Sequence, residues 1–209
     1  FLSQYLSIQS SELFFADKAI FIEGTTERML LPLFMSKHDS GLAGEMPLSS
    51  QNISVLEVGA NAKAFAPFLD FLGIKSLIVT DIDTTQKNEK GKWKAAQVTS
   101  GKNTSNSSLK FFFDAPELKE EAEFSIWVQK LKSNGHDVRD EFKNVRIAYQ
   151  FEEDGYHARS FEDAFIALNL SEIAAKKENI EGLKNRSKLD ALENVDFYEL
   201  TNEVIDKKS

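Results

Sequence analysis

Three short apolar runs, each closed by acidic residues, constrain this chain more than any other feature. They are KAIFIEG, with Ala19–Ile22 followed by Glu23 and Gly24; ISVLEVG, spanning Ile53–Val58 with Glu57 near its end; and SLIVTDID, which starts at Ser76 and finishes on Asp81 and Asp83. Their length and character are those of buried strands. Between the first two, Thr26 to Lys37 reads as a helix, with Thr25 or Thr26 as N-cap, Glu27 and Arg28 in the first turn, and Pro32 as a kink. Between the second and third, Asn61 to Leu72 reads as a helix ended by Gly73. A β-α-β-α-β run with helices of about three turns predicts a parallel sheet with right-handed crossovers. The expected class is α/β, a Rossmann-like parallel sheet of about four strands flanked by helices.

The rhythm breaks after the third strand. Residues 84–110 are rich in Lys, Thr, Ser and Asn and hold six lysines against one glutamate. This stretch reads either as a solvated loop or as an arm that tracks phosphates, with Lys87, Lys90, Lys92, Lys94 and Lys102 as its DNA contacts and Trp93 able to stack on a base. Thr104, Ser105 and Asn106 are placed to cap a following helix and aim its N–H groups at a phosphate. Helix returns at 116–132, a fourth strand at Val145–Tyr149 and a helix at Phe161–Leu168, while 171–209 is polar and helical. Residues 1–15 read as an amphipathic helix with Phe14 and Phe15 on its apolar face. Phe65, Phe68 and Phe71, like Phe111–Phe113, have the spacing of core residues. His38, His136 and His157 stand in polar surroundings and read as surface.

Composition narrows the chemistry. The chain has 209 residues and 42% hydrophobic content, enough for a real core, with a net charge of −8 that excludes a uniformly basic nucleic-acid glove. It has no cysteine, which excludes a disulfide scaffold, a thiolate zinc site and a cysteine nucleophile. No apolar run approaches the ~18–20 residues that span a bilayer, and no signal-peptide pattern opens the chain, so a cytoplasmic setting without a membrane partner is expected.

In open α/β sheets, ligands bind beyond the carboxyl ends of the strands. The predicted strands end there on Glu23, Glu57, Asp81 and Asp83, and Glu27 lies one helical turn past Glu23. Five carboxylates at one edge repel each other unless a cation neutralises them. Oxygen donors suit Mg2+ or Mn2+ rather than zinc. Such a site serves phosphodiester hydrolysis with two ions, one aiming a hydroxide and the other stabilising the leaving oxygen. Glu23 or Glu27 could equally take the water's proton. Removing one of these acids is expected to leave folding intact, because it relieves repulsion.

AIFIEGTTERMLLP followed by VLEVGANAKAFAPFLDFLGIKSLIVTDID resembles a Toprim domain, with Glu-Gly after the first strand and Asp-x-Asp after the third. EGTTE, the LEVG to LGI segment, TSNSSLK and RSFEDAF resemble, among Toprim proteins, the overcoming lysogenization defect nucleases, over roughly residues 14–170. The resemblance implies a Mg2+- or Mn2+-dependent DNA endonuclease with two ions. It implies Glu23, Glu27, Asp81 and Asp83 as metal-binding and catalytic acids, Glu57 as a further acidic ligand, Ser160 and Glu162 as a pair for the second metal, and a C-terminal lysine that stabilises phosphate charge. Lys188 is preferred over Lys184, with Arg186 between them. It also implies an ATP-binding cassette ATPase domain on the same protein, through which oligomers form, and a role in phage defence. The chain has no GxxxxGK[ST] phosphate loop and begins with Phe1, so it is expected to be the nuclease half, with 1–16 linking to a missing ATPase domain, 17–170 the Toprim domain and 171–209 a helical C-terminal segment. Two other readings compete. One is a Toprim scaffold or DNA-sensing module without catalysis. The other, from the likeness of IVTDIDTT to the first motif of haloacid-dehalogenase phosphatases, makes Asp81 a nucleophile; two β-α units before the motif argue against it. Tyr149 and Tyr156 read as packing residues rather than nucleophiles.

Overall fold

A computed structural model describes residues 11–42, 44, 46–190, 193 and 195–205. In chain order the strands are β1 (Lys18–Ile22), β2 (Ile53–Glu57), β3 (Lys75–Val79), β4 (Thr84–Lys87), β5 (Trp93–Ala95), β6 (Asn103–Thr104), β7 (Val145–Ala148), β8 (Glu152–Glu153) and β9 (Tyr156–His157). The α-helices are α1 (Thr25–Ser40), α2 (Ala66–Leu72), α3 (Ser107–Phe112), α4 (Glu121–Lys132), α5 (Phe161–Lys176) and α6 (Phe197–Val204). The chain divides into two compact units. One comprises the segment ending at Thr80 together with Asn106–Glu117 and His136–Tyr149; the other comprises Asp81–Ser105, Leu118–Gly135 and the chain from Gln150 onward.

The first unit is built on a four-stranded parallel sheet in the order β2-β1-β3-β7, flanked by helices, which is the Toprim Rossmann-like α/β fold. The order puts β1 in the middle, and its apolar sequence suits that place: Phe21 and Ile22 are fully buried. Alternation along the strands sends Ala19, Phe21, Leu56 and Ile78 into one core with Phe68, Leu69 and Phe112. Register is continuous across the first three strands, with Phe21 opposite Leu56 on one side and Ile78 on the other.

Several local expectations change. Gly59–Phe65 is a run of 3-10 turns, and only Ala66–Leu72 is α-helical. Phe71 is exposed rather than core. At about 100° per residue, Phe65, Phe68, Leu69 and Leu72 centre the buried stripe, and Phe71 lies about 110° from it. Phe15 is also exposed, and Glu12–Phe14 is a single 3-10 turn; the rest of the N-terminal helix expected over 1–15 lies outside the described residues. Helix α1 runs through Pro32 to Ser40, on a surface where a carbonyl deprived of its N–H partner meets water. Its N-cap is Gly24, not Thr25 or Thr26.

The second unit overturns the reading of the lysine-rich stretch as an irregular loop. Residues 84–104 form an antiparallel sheet in the order β5-β4-β6. Lys87 pairs with Trp93 across the first hairpin, whose turn is closed by Asn88: its Oδ1 accepts from the N–H groups of Lys90 and Lys92. The chain returns into β6 at Gly101, where an added Cβ would stand 2.6 Å from the Cβ of Thr84. No side chain fits there. In the same unit α4 begins at Glu121, later than expected, and buries Phe124, Trp127, Val128 and Leu131. Helix α5 extends to Lys176, past the expected end at Leu168, with a kink at Asn169. Its Ile166 and Ile173 share a core with Leu189, Leu200 and Val204. None of the described helices is long and apolar enough to cross a membrane.

Candidate functional site

In the first unit, the carboxyl end of the parallel sheet carries three of the expected acids. Backbone pairing continues past the strands: Val58 N–H donates to Ile22 O at 2.9 Å and Gly59 N–H to Glu23 O at 3.1 Å. Glu23 is thereby held at the edge beside the end of β2. Its carboxylate accepts a hydrogen bond from the Thr80 hydroxyl and another from Asn106 Nδ2 at 3.1 Å. Asn106 Nδ2 also reaches Thr80 Oγ1, at 2.6 Å. Thr80 and Asn106 are both buried, so this three-residue network stands in a medium where each hydrogen bond is strong and a missing one is costly.

The amide of Asn106 is oriented by its other end. Its Oδ1 accepts from the N–H groups of Ser108 (2.9 Å) and Leu109 (3.1 Å), which makes it the N-cap of α3. The capping expectation for Asn106 thus holds, but those two N–H groups are consumed by the cap instead of facing a phosphate. The same side chain that starts the helix points its NH2 group at Glu23. Glu27, one turn into α1, turns back to accept from Gly24 N–H at 3.1 Å, half of a capping box. Glu57 is exposed and accepts from Thr25 Oγ1 at 3.4 Å. Glu23 is therefore held from the α3 side and Glu57 from the α1 side.

The second unit brings together Asp81, Asp83, Ser160 and Glu162 around the start of α5. Asp81 Oδ1 accepts from Phe161 N–H at 2.9 Å and from Gln150 Nε2 at 2.6 Å, while Gln150 Oε1 accepts from Ile82 N–H at 2.8 Å. A carboxylate at the N-terminus of this 16-residue helix is favoured by the helix dipole as well as by the N–H bond. Ser160 is the N-cap, accepting from Asp163 N–H at 3.3 Å. Asp83 adopts a left-handed backbone with φ of 49°. That conformation is pinned by Ser105, whose N–H donates to Asp83 O at 3.0 Å, and by Asp83 N–H donating to Arg159 O at 3.3 Å. The Asp83 carboxylate pairs with Arg159 at 2.6 Å. Burial raises the Asp83 pKa above the ordinary aspartate value; Arg159 opposes this and the nearby charge of Glu162 adds to it.

Arg159 and Asp163 carry this arrangement and were not singled out in the sequence. Arg159 also donates from Nε to Thr84 O at 3.0 Å. Asp163 is buried and accepts from the Tyr156 hydroxyl (2.8 and 2.9 Å), Arg159 N–H (2.8 Å) and Thr201 Oγ1 (3.2 Å). RSFEDAF contains both residues, but nothing local distinguishes buried Asp163 from half-buried Glu162 beside it.

Tyr149 and Tyr156 hold their protons more tightly than a free phenol does. Burial pushes the Tyr149 phenol up to about 12, and burial together with the Asp163 carboxylate raises Tyr156. His157 is half-buried rather than on the surface; its Nε2 lies 2.9 Å from Gln150 O, and burial lowers its pKa. His136 is likewise half-buried and stacks on Phe113. Lys188 lies in a 3-10 turn and pairs with Glu203 at 3.2 Å, while Arg186 donates to Ile180 O at 2.9 Å. Of the lysines expected to contact DNA, Lys90 and Lys92 sit in the hairpin turn, Lys94 is exposed on β5, and Lys87 stands over Trp93 at 5.3 Å from the ring centroid.

Among the described residues, no three acidic or histidine side chains are gathered as a ready ligand set. The donors offered are carboxylate and hydroxyl oxygens, in pairs. That chemistry fits Mg2+, which keeps several waters and binds through one or two carboxylates plus substrate phosphates.

Comparison with known proteins agrees with the geometry. Residues 14–83 match the family described as overcoming lysogenization defect protein-like, TOPRIM domain. Over 197 residues, 93% of this chain, the sequence is 31% identical to Endonuclease GajA of Bacillus cereus (strain HuB5-5), of which it covers 25%. The chain thus spans about a quarter of that relative's length. No solved structure matches. With the strand-end Glu-Gly and the parallel strands β2-β1-β3 inside the matched segment, residues 14–83 carry an overcoming-lysogenization-defect-like Toprim domain.

Proposed function

We propose that this chain is the DNA-cutting part of an ATPase–nuclease protein, hydrolysing phosphodiester bonds with Mg2+ or Mn2+. The observation that carries the reading is the set of carboxylates following the parallel strands, each engaged by hydrogen bonds to side chains or backbone of its own unit, in a chain related to a protein named as an endonuclease.

Glu23, Glu27 and Glu57 from the first unit, and Asp81, Asp83, Ser160 and Glu162 from the second, are the residues proposed to hold the ions. Bound divalent ions would lower the pKa of the attacking water and stabilise charge on the leaving oxygen. The chain's own contribution is orientation. Thr80 and Asn106 restrict the Glu23 carboxylate to one rotamer. Gln150 and the α5 N-terminus do the same for Asp81. Arg159 holds Asp83 and supplies positive charge beside the acids. Lys188 is the proposed phosphate-stabilising lysine, which requires it to exchange Glu203 for the substrate. Lys87, Lys90, Lys92, Lys94 and Lys102 would follow the DNA backbone. An ATP-binding cassette domain on the same polypeptide, oligomers formed through it and a role in phage defence belong to this proposal on family grounds.

A second reading, a DNA-sensing module without cleavage, is favoured by the Asp83–Arg159 pair, in which a protein cation already neutralises one of the acids. Incubating the chain with supercoiled plasmid and Mg2+ or Mn2+ separates the two. Nicked or linear product that disappears with EDTA supports the nuclease; intact plasmid, also with the ATPase portion attached, supports the module.

A further inference from the structure

Within the second unit, a cavity of about 320 Å³ opens between the β4-β5 hairpin and α4. Its walls include the Trp93 indole, which is 38% exposed, and the side chains of Lys87, Lys102, Gln86, Glu121 and Gln129. Phe124 and Val128 of α4 supply an apolar floor. Pockets that bind small rings have this composition: a mostly apolar body with a few polar groups at the rim.

The segment that forms one wall is positively charged, and Lys87 and Lys102 bring that charge to the cavity. Over residues 84–105 the chain has Lys87, Lys90, Lys92, Lys94 and Lys102 against Glu89 alone, in a protein whose net charge is −8. Lys102 is close enough to Lys132 for its charge to help lower the Lys132 pKa. An aromatic ring exposed in a cavity wall and flanked by ammonium groups is complementary to a flat, electron-rich ring that carries a phosphate. Gln86, Gln129 and Glu121 offer the donors and acceptors that a base edge requires.

We propose that this cavity receives one unpaired nucleobase of a DNA strand, stacked on Trp93, with its phosphate between Lys87 and Lys102. A base inside a duplex is already stacked and paired, so the cavity selects single-stranded or frayed DNA. The inference rests on the nuclease reading only for the source of the base; a free nucleotide shares the same chemistry.

Binding is measured on the chain in EDTA, where cleavage plays no part, using tryptophan emission and anisotropy. The probes are a short single-stranded oligonucleotide, its duplex and deoxyadenosine monophosphate. The single strand is expected to quench Trp93 and to bind more tightly than either the duplex or the mononucleotide. Trp93→Leu is expected to abolish the quench and weaken single-strand binding about tenfold. Ser125→Trp, at an exposed position of α4 that lines the cavity, is expected to fill it and weaken binding equally. Circular dichroism identifies folded variants. If folded Trp93→Leu and Ser125→Trp both bind the single strand as the parent does, the proposal is overturned. If the mononucleotide saturates the cavity as tightly as the oligonucleotide, assignment to a DNA strand is overturned in favour of a free nucleotide. Plasmid left intact in Mg2+, also with the ATPase portion attached, together with Trp93-dependent single-strand binding by the chain, would refute the nuclease reading and support this one.

Discussion

Thr80 donates its hydroxyl hydrogen bond to the carboxylate of Glu23, joining the ends of two adjacent parallel strands, β3 and β1. The next residue after Thr80 is Asp81. A hydroxyl one residue before a proposed ligand therefore positions another proposed ligand 57 residues earlier in the chain. Asn106 completes the network and caps α3 at the same time.

This network changes what removal of Glu23 should do. Relief of carboxylate repulsion predicts no loss of stability, but the buried donors Thr80 and Asn106 lose the acceptor they share when Glu23 is shortened. Glu23→Ala is expected to cost about 1–3 kcal/mol in urea denaturation as well as to abolish cleavage. Glu23→Gln should keep most of the stability while still failing to cut. Equal stability for Glu23→Ala and the parent would show that the network contributes nothing.

Asn106→Ala removes both the helix cap and the support of Glu23. The cap alone is worth about 0.5–2 kcal/mol. Asn106→Asp retains the cap but places a second negative charge against Glu23, so it should lower metal-dependent cleavage more than it lowers stability. Parallel denaturation and plasmid-cutting assays test that split.

Asp163 is expected to be the most sensitive acid for folding. Its carboxylate accepts from Tyr156, Thr201 and Arg159 while buried. Asp163→Ala strands those donors and should destabilise by about 3–5 kcal/mol, and Asp163→Asn should also be costly because its NH2 group meets donors. A loss below about 1 kcal/mol in chemical denaturation would contradict this account.

The buried phenol of Tyr149 predicts a dependence on alkaline pH. Its folded pKa of about 12 lies above the ordinary tyrosine value of 10.0, so the native state holds the proton longer than the unfolded chain. The stability this confers is fully present below pH 10 and is lost as pH rises through 12. Ultraviolet titration of tyrosinate should show late-ionising phenols, one of which disappears in Tyr149→Phe. Because the phenol stays neutral near pH 7, Tyr149→Phe should still cut DNA.

Neutralising Lys87, Lys90, Lys92 and Lys94 together should weaken DNA binding and flatten its salt dependence. Each lysine that neutralises a phosphate contributes about 0.9 to the slope of log K against log salt on duplex DNA. An unchanged slope, measured by anisotropy across salt concentrations, would place these lysines away from the DNA.

Sequence patterning made the parallel sheet legible because each strand is a continuous apolar run long enough to carry a signal, and because β-α-β crossovers are restricted to one hand. The β4-β5-β6 sheet was not legible for the opposite reason. Its strands have two to four residues, several of them lysine or threonine, and their pairing is set by the Asn88 turn and by the close approach of Gly101 to Thr84. Ser160 was readable as part of RSFEDAF; that Arg159 would pair with Asp83, 76 positions away, was not.

By itself the sequence determined the strands of the parallel sheet, the absence of thiol chemistry and the identity of the acids that follow the first three of those strands, because those properties are local in the chain. Only the tertiary structure decided which neutral groups hold those acids. Thr80 and Asn106 reach Glu23, and Gln150 and the first turn of α5 reach Asp81, through hydrogen bonds whose partners lie 57 to 83 residues apart. The energy of such a bond depends on burial and angle in three dimensions, and neither is encoded in the spacing of residues along the chain.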